Sequence, residues 1–509
     1  MKYYLGLDNG GTITKAAIYD ENGKLISLAK TETNSFSAQP NYVERNMKEM
    51  RDANIFVLKE VLAKSGIKAS DIRGIASCGH GKGLYLVDSN GEPVRNGILS
   101  SDNRAWSYVE KWKANGVSAK VYAKTCSNIM ACQPVSLLAW LKDNESENYS
   151  KIRWVFECKD YVRFLLTGKP YAELTDYSGA NLVNLYTRQY DDELLSLFGL
   201  SDIRSCLPPL ISSTDFAGGI TEQVSKETGL QEGTPVYGGM FDIDACAIAS
   251  GVSDPKYLAM VAGTWSINEY CSKVPVGEHK VAMNSVFCNP EYILAEESSA
   301  TSAVNLEYMA KTIFPNLSED CKKAGKNIYQ EFDRLVSSVP ATDMCPIYLP
   351  FIVASNVHPN AQAGFIGMSA WQTRAHFIKA VFEGVAFSHK YHTEKLLSAR
   401  EDRPTVRLSG GVANSLPWIQ IFADVLNLSI ETVDVKEAGT LGCAMCIAVA
   451  TGDKDSFEAA FKSWINIKQK IEPIANNVEI YKKRYKLYLK VLDALNPVWE
   501  AIQQNYVQN

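Results

Sequence analysis

The stretch Asp8-Asn9-Gly10-Gly11-Thr12-Ile13-Thr14 sets a carboxylate, two glycines and two hydroxyls next to one another. Backbone N–H groups with no Cβ beside them can approach an anion closely, and together with hydroxyls they suit phosphate oxygens. The carboxylate suits the Mg²⁺ that travels with such phosphates. The plan recurs, because Gly263-Thr264-Trp265-Ser266 has the spacing of Gly11-Thr12-Ile13-Thr14. A third glycine turn, Ser409-Gly410-Gly411, precedes a helix expected to start near Ser415-Leu416-Pro417-Trp418, and its amides could also meet a nucleotide. In Gly238-Gly239-Met240-Phe241-Asp242-Ile243-Asp244 either aspartate could take a proton from a hydroxyl nucleophile or serve as a plain N-cap. In Ser77-Cys78-Gly79-His80-Gly81-Lys82-Gly83 three glycines surround a histidine and a lysine, as in a site-facing loop at the carboxyl end of a strand. Asp102 and Arg104, by themselves, read as an N-cap with a surface ion pair.

The elements expected to position these groups are strands and helices in alternation. Tyr3 to Leu7 and Ile13 to Tyr19 are β-prone and flank Asn-Gly-Gly, a type I′ hairpin signal. A helix is expected from about Asn46 to Ser65 with Ile55, Leu58, Val61 and Leu62 as its apolar stripe, then a strand from Ile72 to Ala76. A helix from Thr373 to about Lys395 uses Gly384 for close packing, and another from Gly439 to Thr451 is rich in Gly and Ala. Two glycine hairpins half a chain apart suggest duplicated domains facing each other across a cleft, and Ser250-Gly251-Val252-Ser253-Asp254-Pro255 reads as the linker. The expected division is residues 1–250 and 251–509, since 509 residues exceed what one core usually supports.

A hydrophobic fraction of 46% with 21% charged residues is that of a soluble globular protein, and a net charge of −5 argues against nucleic acid. No apolar run approaches the roughly 18 to 20 residues of a membrane span. Asp8 and Asn9 interrupt the only N-terminal apolar stretch, so no signal peptide fits and a cytoplasmic location is expected. The 12 cysteines are scattered singly and read as reduced, packed thiols, including the Cys443/Cys446 pair. The run Lys482-Lys483-Arg484 is expected to face solvent on a C-terminal helix.

On these motifs the chain resembles the FGGY carbohydrate kinases. The resemblance rests on Leu5-Gly-Leu-Asp-x-Gly-Gly-Thr, Lys159-Asp-Tyr-x4-Leu-Thr-Gly, Leu207-Pro-Pro-Leu, Gly229-Leu-x2-Gly-Thr-Pro-Val, Gly263-Thr264, Ser409-Gly-Gly and the signature from Ala363 to Glu383. Within the family it is most similar to the L-xylulose / 3-keto-L-gulonate kinases, through Gly81-Lys-Gly-Leu-x-Leu, Ile98-Leu-Ser-Ser-Asp, Pro134-Val-Ser-Leu-Leu, Gly263-Thr-Trp and Asn305-Leu-Glu-Tyr. The resemblance implies an α/β fold of two ribonuclease-H-like (actin-like ATPase) domains flanking a catalytic cleft. It also implies ATP and Mg²⁺ as cofactors and a small-molecule sugar as substrate. Asp242 would be the general base, and Asp8 would orient Mg²⁺ through water. Gly10, Gly11, Thr12, Thr14, Gly263 and Thr264 would serve the phosphates, and Gly410, Gly411 and Asn414 the adenosine. The sugar would meet His80, Gly81, Lys82, Asp102, Arg104 and Asp242. Where D-xylulose kinases carry Met-His in the sugar loop this chain has Gly81-Lys82, and the lysine expected shortly after Pro134 is absent. A D-xylulose substrate is therefore disfavoured. Kinases for other pentuloses or polyols, a non-catalytic sugar sensor and an iron–sulfur ATPase activator are the competing readings, with no nucleic-acid or membrane partner expected and a homodimer compatible with the chain.

Overall fold

β1 (Tyr3–Asn9) and β2 (Ile13–Asp20) pair antiparallel through the glycine turn, and β3 (Leu25–Glu32) continues the meander. In the computed structural model, which describes residues 1–277, 281–355, 357, 358, 360–398, 400 and 403–506, β1 also pairs in parallel with β4 (Ile72–Gly79). The sheet is completed by β5 (Phe216–Gly219) and β6 (Pro235–Tyr237), in the order β5-β6-β4-β1-β2-β3. The strand from Ile72 runs three residues beyond the expected Ala76, because Asn9 pairs with Gly79 and the ladder holds to the end of β1. The turn is not type I′, since neither Gly10 nor Gly11 has positive φ. Gly10 N closes instead on Ile13 O at 3.1 Å.

The helix Met47–Ser65, capped by the Asn46 side chain, covers this sheet with Met47, Met50, Val57, Leu58 and Val61 buried. Its alternation of apolar and polar positions selects that face. The helix Ala438–Ala450 packs against β1, and the approach demands glycine: a Cβ on Gly6 would lie 2.1 Å from Thr440 O. Gly442 likewise meets Ala245 O of the helix Asp242–Ala249. Cys443 and Cys446 are buried within it.

The chain forms two compact units. The first holds residues 1–254, 271–295 and 435–465, and the second holds 255–270, 296–434 and 466–509. One cut near residue 250 therefore does not describe them, because the Ala438–Ala450 helix returns to the first sheet. The second unit repeats the sheet plan with β7 (Tyr257–Ala262), β8 (Ser266–Ser272), β9 (Thr405–Ser409), β10 (Ile430–Val433) and β11 (Ile467–Ile471). β7 pairs antiparallel with β8 and parallel with β9, as β1 does with β2 and β4, and the run is β8-β7-β9-β10-β11. The helix Arg374–Leu396 packs through Gly384, whose Cβ would lie 2.4 Å from Tyr348 O. On the helix Ala475–Tyr506, Lys482 and Lys483 are exposed but Arg484 is not. It bonds Glu383 at 2.8 Å, so one member of the basic run is an interior ion pair. No helix among the described residues is long and apolar enough to cross a membrane.

Candidate active site

Three strand ends lie in register in the first unit. β1 ends at Asn9, opposite Gly79 of β4, and Gly79 is in turn opposite Phe241 of the short strand Met240–Phe241. Gly10, His80 and Asp242 thus leave the sheet side by side, at the carboxyl ends of parallel strands where α/β proteins build their sites.

At the first turn, Gly11 and Thr12 are exposed, whereas Thr14 is fully buried. Its hydroxyl lies 3.4 Å from Asn9 Oδ1, and Asn9 exchanges amide hydrogen bonds with Asn54 at 3.1 and 2.8 Å. Thr14 is therefore not available to phosphate, because it already belongs to the ladder opposite Asn9 and faces the covering helix. Arg45, which sequence reading passed over, is buried and donates to Gly11 O and, at 3.4 Å, to Gly10 O. Asp8 lies 4.0 Å from Lys15 Nζ, and Lys15 bonds Glu437 at 2.8 Å. Burial raises the Asp8 carboxyl above its ordinary value while Lys15 opposes the rise. A hard oxygen donor whose charge is penalised by burial fits a hydrated Mg²⁺, which would relieve that penalty. Glu437 and Lys15 complete this group, and nothing local in the sequence links residue 437 to residue 8.

The loop after β4 is tightly shaped. Lys82 and Gly83 have φ of 63° and 80°, and a lysine in the left-handed region is strained backbone of the kind found at functional sites. Lys82 Nζ lies 5.7 Å from the centre of the Phe241 ring. A Cβ on Gly81 would meet that ring at 2.4 Å and Asp176 Oδ1 at 2.7 Å, so glycine is required there. His80 Nε2 lies 2.8 Å from Tyr85 Oη, and burial, assisted by Arg45, pushes its imidazole down to about 4.

Asp242 is the first residue of the helix Asp242–Ala249, where a carboxylate is favoured by the helix dipole. The chain reaches it through Gly239, whose φ is 75° and whose Cβ would lie 2.0 Å from Ser77 O. Arg163 Nη1 holds Gly238 O at 2.6 Å, and Phe241 N donates to Thr175 Oγ1 at 2.9 Å. Asp242 is partly exposed. Asp244 is fully buried, accepts from Cys288 N at 3.0 Å, and is pushed well above the carboxylate range by burial and then by Glu173. Of the two aspartates, Asp242 is the accessible one.

Asp102 and Arg104 form a buried pair, not a surface one, with Nη2 to Oδ2 at 2.8 Å. Asp102 also accepts from Val43 N at 2.7 Å, and Arg104 reaches Glu44 at 2.8 Å and lies 4.1 Å over the Tyr42 ring. These partners occupy both carboxylate oxygens, which makes the pair a brace for the neighbouring loops.

In the second unit the turn exposes Thr264 and buries Ser266. Gly263 O accepts from Ala303 N at 2.7 Å and Thr264 O from Ser302 N at 3.0 Å. Beneath it His389, fully buried, has Nδ1 2.9 Å from Asn268 Oδ1 and Nε2 2.9 Å from Ser302 Oγ. Nδ1–H therefore donates and Nε2 accepts, which is a neutral imidazole, and burial holds its value down to about 3. Gly263, Thr264, Gly411 and Asn414 line one cavity of 640 Å³ together with Tyr329 and Trp418. That volume is within the roughly 300 to 1,000 Å³ of small-molecule sites. Gly410 does not line it; its φ of 88° lets it abut the turn, a Cβ there falling 2.7 Å from Ala262 C. Tyr329 carried no sequence signal, because it reaches the cavity from a helix, Ile328–Ser337, far from any glycine turn.

Comparison with known proteins decides what these turns belong to. Residues 3–249 match the N-terminal domain of the FGGY family of carbohydrate kinases and residues 258–451 its C-terminal domain. The chain belongs to the FGGY carbohydrate kinases. It is 34% identical over 505 residues to the L-xylulose/3-keto-L-gulonate kinase of Escherichia coli, covering 99% of each chain. In fold it is similar to a ligand-bound xylulose kinase from Lactobacillus acidophilus, with a TM-score of 0.89 at 23% identity over 99% of this chain and 100% of that one. A gluconate kinase of the same organism gives 0.89 at 23% over 98% and 99%. This FGGY kinase thus has the two-domain actin-like ATPase fold and is an enzyme using ATP to phosphorylate a small-molecule sugar. The sensor and iron–sulfur activator readings fall away.

Proposed function

We propose that this enzyme phosphorylates a hydroxyl of L-xylulose or of a 3-keto sugar acid such as 3-keto-L-gulonate, with Asp242 as general base. The observation that carries the reading is the in-register exit of Gly10, His80 and Asp242 from adjoining strands. On this reading it would set phosphate donors, acceptor loop and base beside one another on one sheet edge. Asp242 would take the proton of the attacking hydroxyl from its place at a helix N-terminus. Asp8 would hold Mg²⁺ through water, and the ion would neutralise charge on the transferring phosphoryl group. Thr12 and the Gly263-Thr264 turn would bind phosphates, and Gly411 and Asn414 the adenosine. Asp102 and Arg104 would shape the acceptor loop from behind. Lys82 offers a cation to the sugar, which favours a keto-sugar acid over a neutral pentulose. The Escherichia coli relative's name, covering both sugars, supports the same class.

The test is a coupled ADP-release assay over ketopentoses, polyols and keto-sugar acids on the parent, Asp242→Asn and Lys82→Met. The expected result is turnover of L-xylulose or 3-keto-L-gulonate and a fall of about 10³-fold in kcat for Asp242→Asn, within the range of a lost general base. Lys82→Met should lower kcat/KM for the acid more than for the neutral sugar. An unchanged acid preference would remove the role given to Lys82, and undiminished turnover in Asp242→Asn would remove the base.

A further inference from the structure

The two units solve the same problem at their phosphate turns in different ways. In the second, the turn's carbonyls are taken by the backbone amides of Ser302 and Ala303, with a neutral histidine beneath. In the first, Thr12 O likewise accepts from a backbone amide, Thr33 N at 2.9 Å, but the carbonyls of Gly10 and Gly11 are taken by the guanidinium of Arg45. Neutral donors suffice to hold such a turn, so the positive charge needs another explanation. Arg45 is 1% exposed, and its Nε has no hydrogen-bond partner. Among the described residues no carboxylate lies within ion-pair distance of it, whereas Arg95 and Arg104 nearby both pair with Glu44. A buried cation without a counterion is expensive, and a scaffold alone would not retain it.

Its location indicates what the charge serves. Arg45 sits in the two-residue strand Glu44–Arg45, paired with Gly97–Ile98, and Ile98 O accepts from Leu84 N at 2.9 Å. The guanidinium is therefore bonded to the first turn and tied through one strand pair to the acceptor loop. Its field reaches that loop, contributing to the lowered affinity of His80 for a proton.

We propose that Arg45 is a positioning residue whose charge is held in reserve for the terminal phosphate of the nucleotide. It turns the Gly10 and Gly11 carbonyls away from the site and supplies, at the first turn, the counter-charge that the bound γ-phosphate completes. This rests on the kinase reading above and adds to it a preference, built into the first unit, for the triphosphate over the diphosphate. After transfer the γ-phosphate is gone, the charge is again uncompensated, and release of ADP is favoured.

The experiment compares Mg·AMP-PNP and Mg·ADP binding by calorimetry in the parent, Arg45→Lys, Arg45→Gln and Arg45→Met, all full-length, alongside Tm and sugar turnover. Arg45→Gln keeps a donor for the carbonyls but no charge, and Arg45→Met keeps the shape alone. The expected result is a Tm for Arg45→Met at or above the parent's, because an unpaired buried charge has been removed. Gln and Met should lose about tenfold or more in AMP-PNP affinity, the order of one charge-assisted contact, while ADP affinity stays within about threefold. Arg45→Lys should recover most of the selectivity. Equal loss for both nucleotides, no loss for either, or a Lys variant no better than Gln would make Arg45 a turn brace and overturn the proposal. If Arg45→Met does not fold, Gln against Lys decides. The nucleotide ratio is read without sugar, so a parent that turns over none of the proposed sugars would defeat the substrate reading and leave this test intact.

Discussion

At the first glycine turn charged groups join the Thr33 amide that holds Thr12 O: Arg45 behind the Gly10 and Gly11 carbonyls, and Lys15 between Asp8 and Glu437 at its flank. At the second they are neutral: two backbone amides, two serine hydroxyls, Asn268 and an imidazole that stays unprotonated. The same sheet plan gives both units the same kind of turn, set in different surroundings. The first turn is flanked by charged side chains, and the second adjoins a shaped cavity lined by Tyr329, Trp418, Glu307 and Asp333. Catalysis by phosphoryl transfer depends on both, because positioning and charge compensation carry most of the rate.

The comparison can be broken most severely at Asp8. Asp8→Asn should lower kcat by roughly 10² to 10³-fold with folding intact, as expected when a carboxylate serving a transition-state cation is neutralised; steady-state rates across a Mg²⁺ titration would check it, and a rate within threefold of the parent would sever Asp8 from the metal. On the neutral side, His389→Leu should cost about 2 to 3 kcal/mol of stability, because the Asn268 carbonyl and the Ser302 hydroxyl lose their partner in a dry interior. Urea unfolding would measure it, and kcat should fall far less than in Asp8→Asn. The two histidines also predict acid lability. Their folded-state values lie at about 4 for His80 and about 3 for His389, against an ordinary 6.5. Between those limits the unfolded chain binds more protons, so stability falls as pH drops below 6.5, by up to about 1.4 kcal/mol per unit for each histidine. Thermal melts from pH 7 to 5 should show the decline, and His389→Gln should flatten it. The smallest effect belongs to the paired hydroxyls: Thr14→Val should leave the KM for ATP within about twofold, while Thr12→Ala should raise it several-fold, since one charge-free hydroxyl contact is worth about 1 kcal/mol. Equal effects would return Thr14 to the phosphate site.

Much of this was legible in the chain. The glycine turns, the alternating strands and the Gly384 and Gly442 contacts follow from residue type, because only glycine allows backbones to approach so closely. The Gly238–Asp244 stretch offered two aspartates, and the structure buries Asp244 while leaving Asp242 partly exposed. What the sequence did not carry was long-range pairing. Thr14 and Ser266 carry the hydroxyl a phosphate would want, yet ladder register turns both inward. Asp102 and Arg104 read as a local surface pair because the partners that bury them, Val43, Glu44 and Tyr42, come from a different part of the chain. Arg45 and Glu437 stand in no motif. Their roles arise from tertiary neighbours dozens to hundreds of residues away.

The helix Ala438–Ala450 has a consequence in time. β1 leaves the ribosome well before its cover, because the helix that seals its face through Gly6 and Thr440 is encoded more than four hundred residues later. At about 5 to 20 residues per second, that interval lasts on the order of 20 to 90 seconds. During it the face of β1 that carries Gly6 and Asp8 stays open, available to chaperones and to aggregation alike. The closing contact is therefore among the last made during synthesis, and the first unit becomes whole only after most of the second has been made.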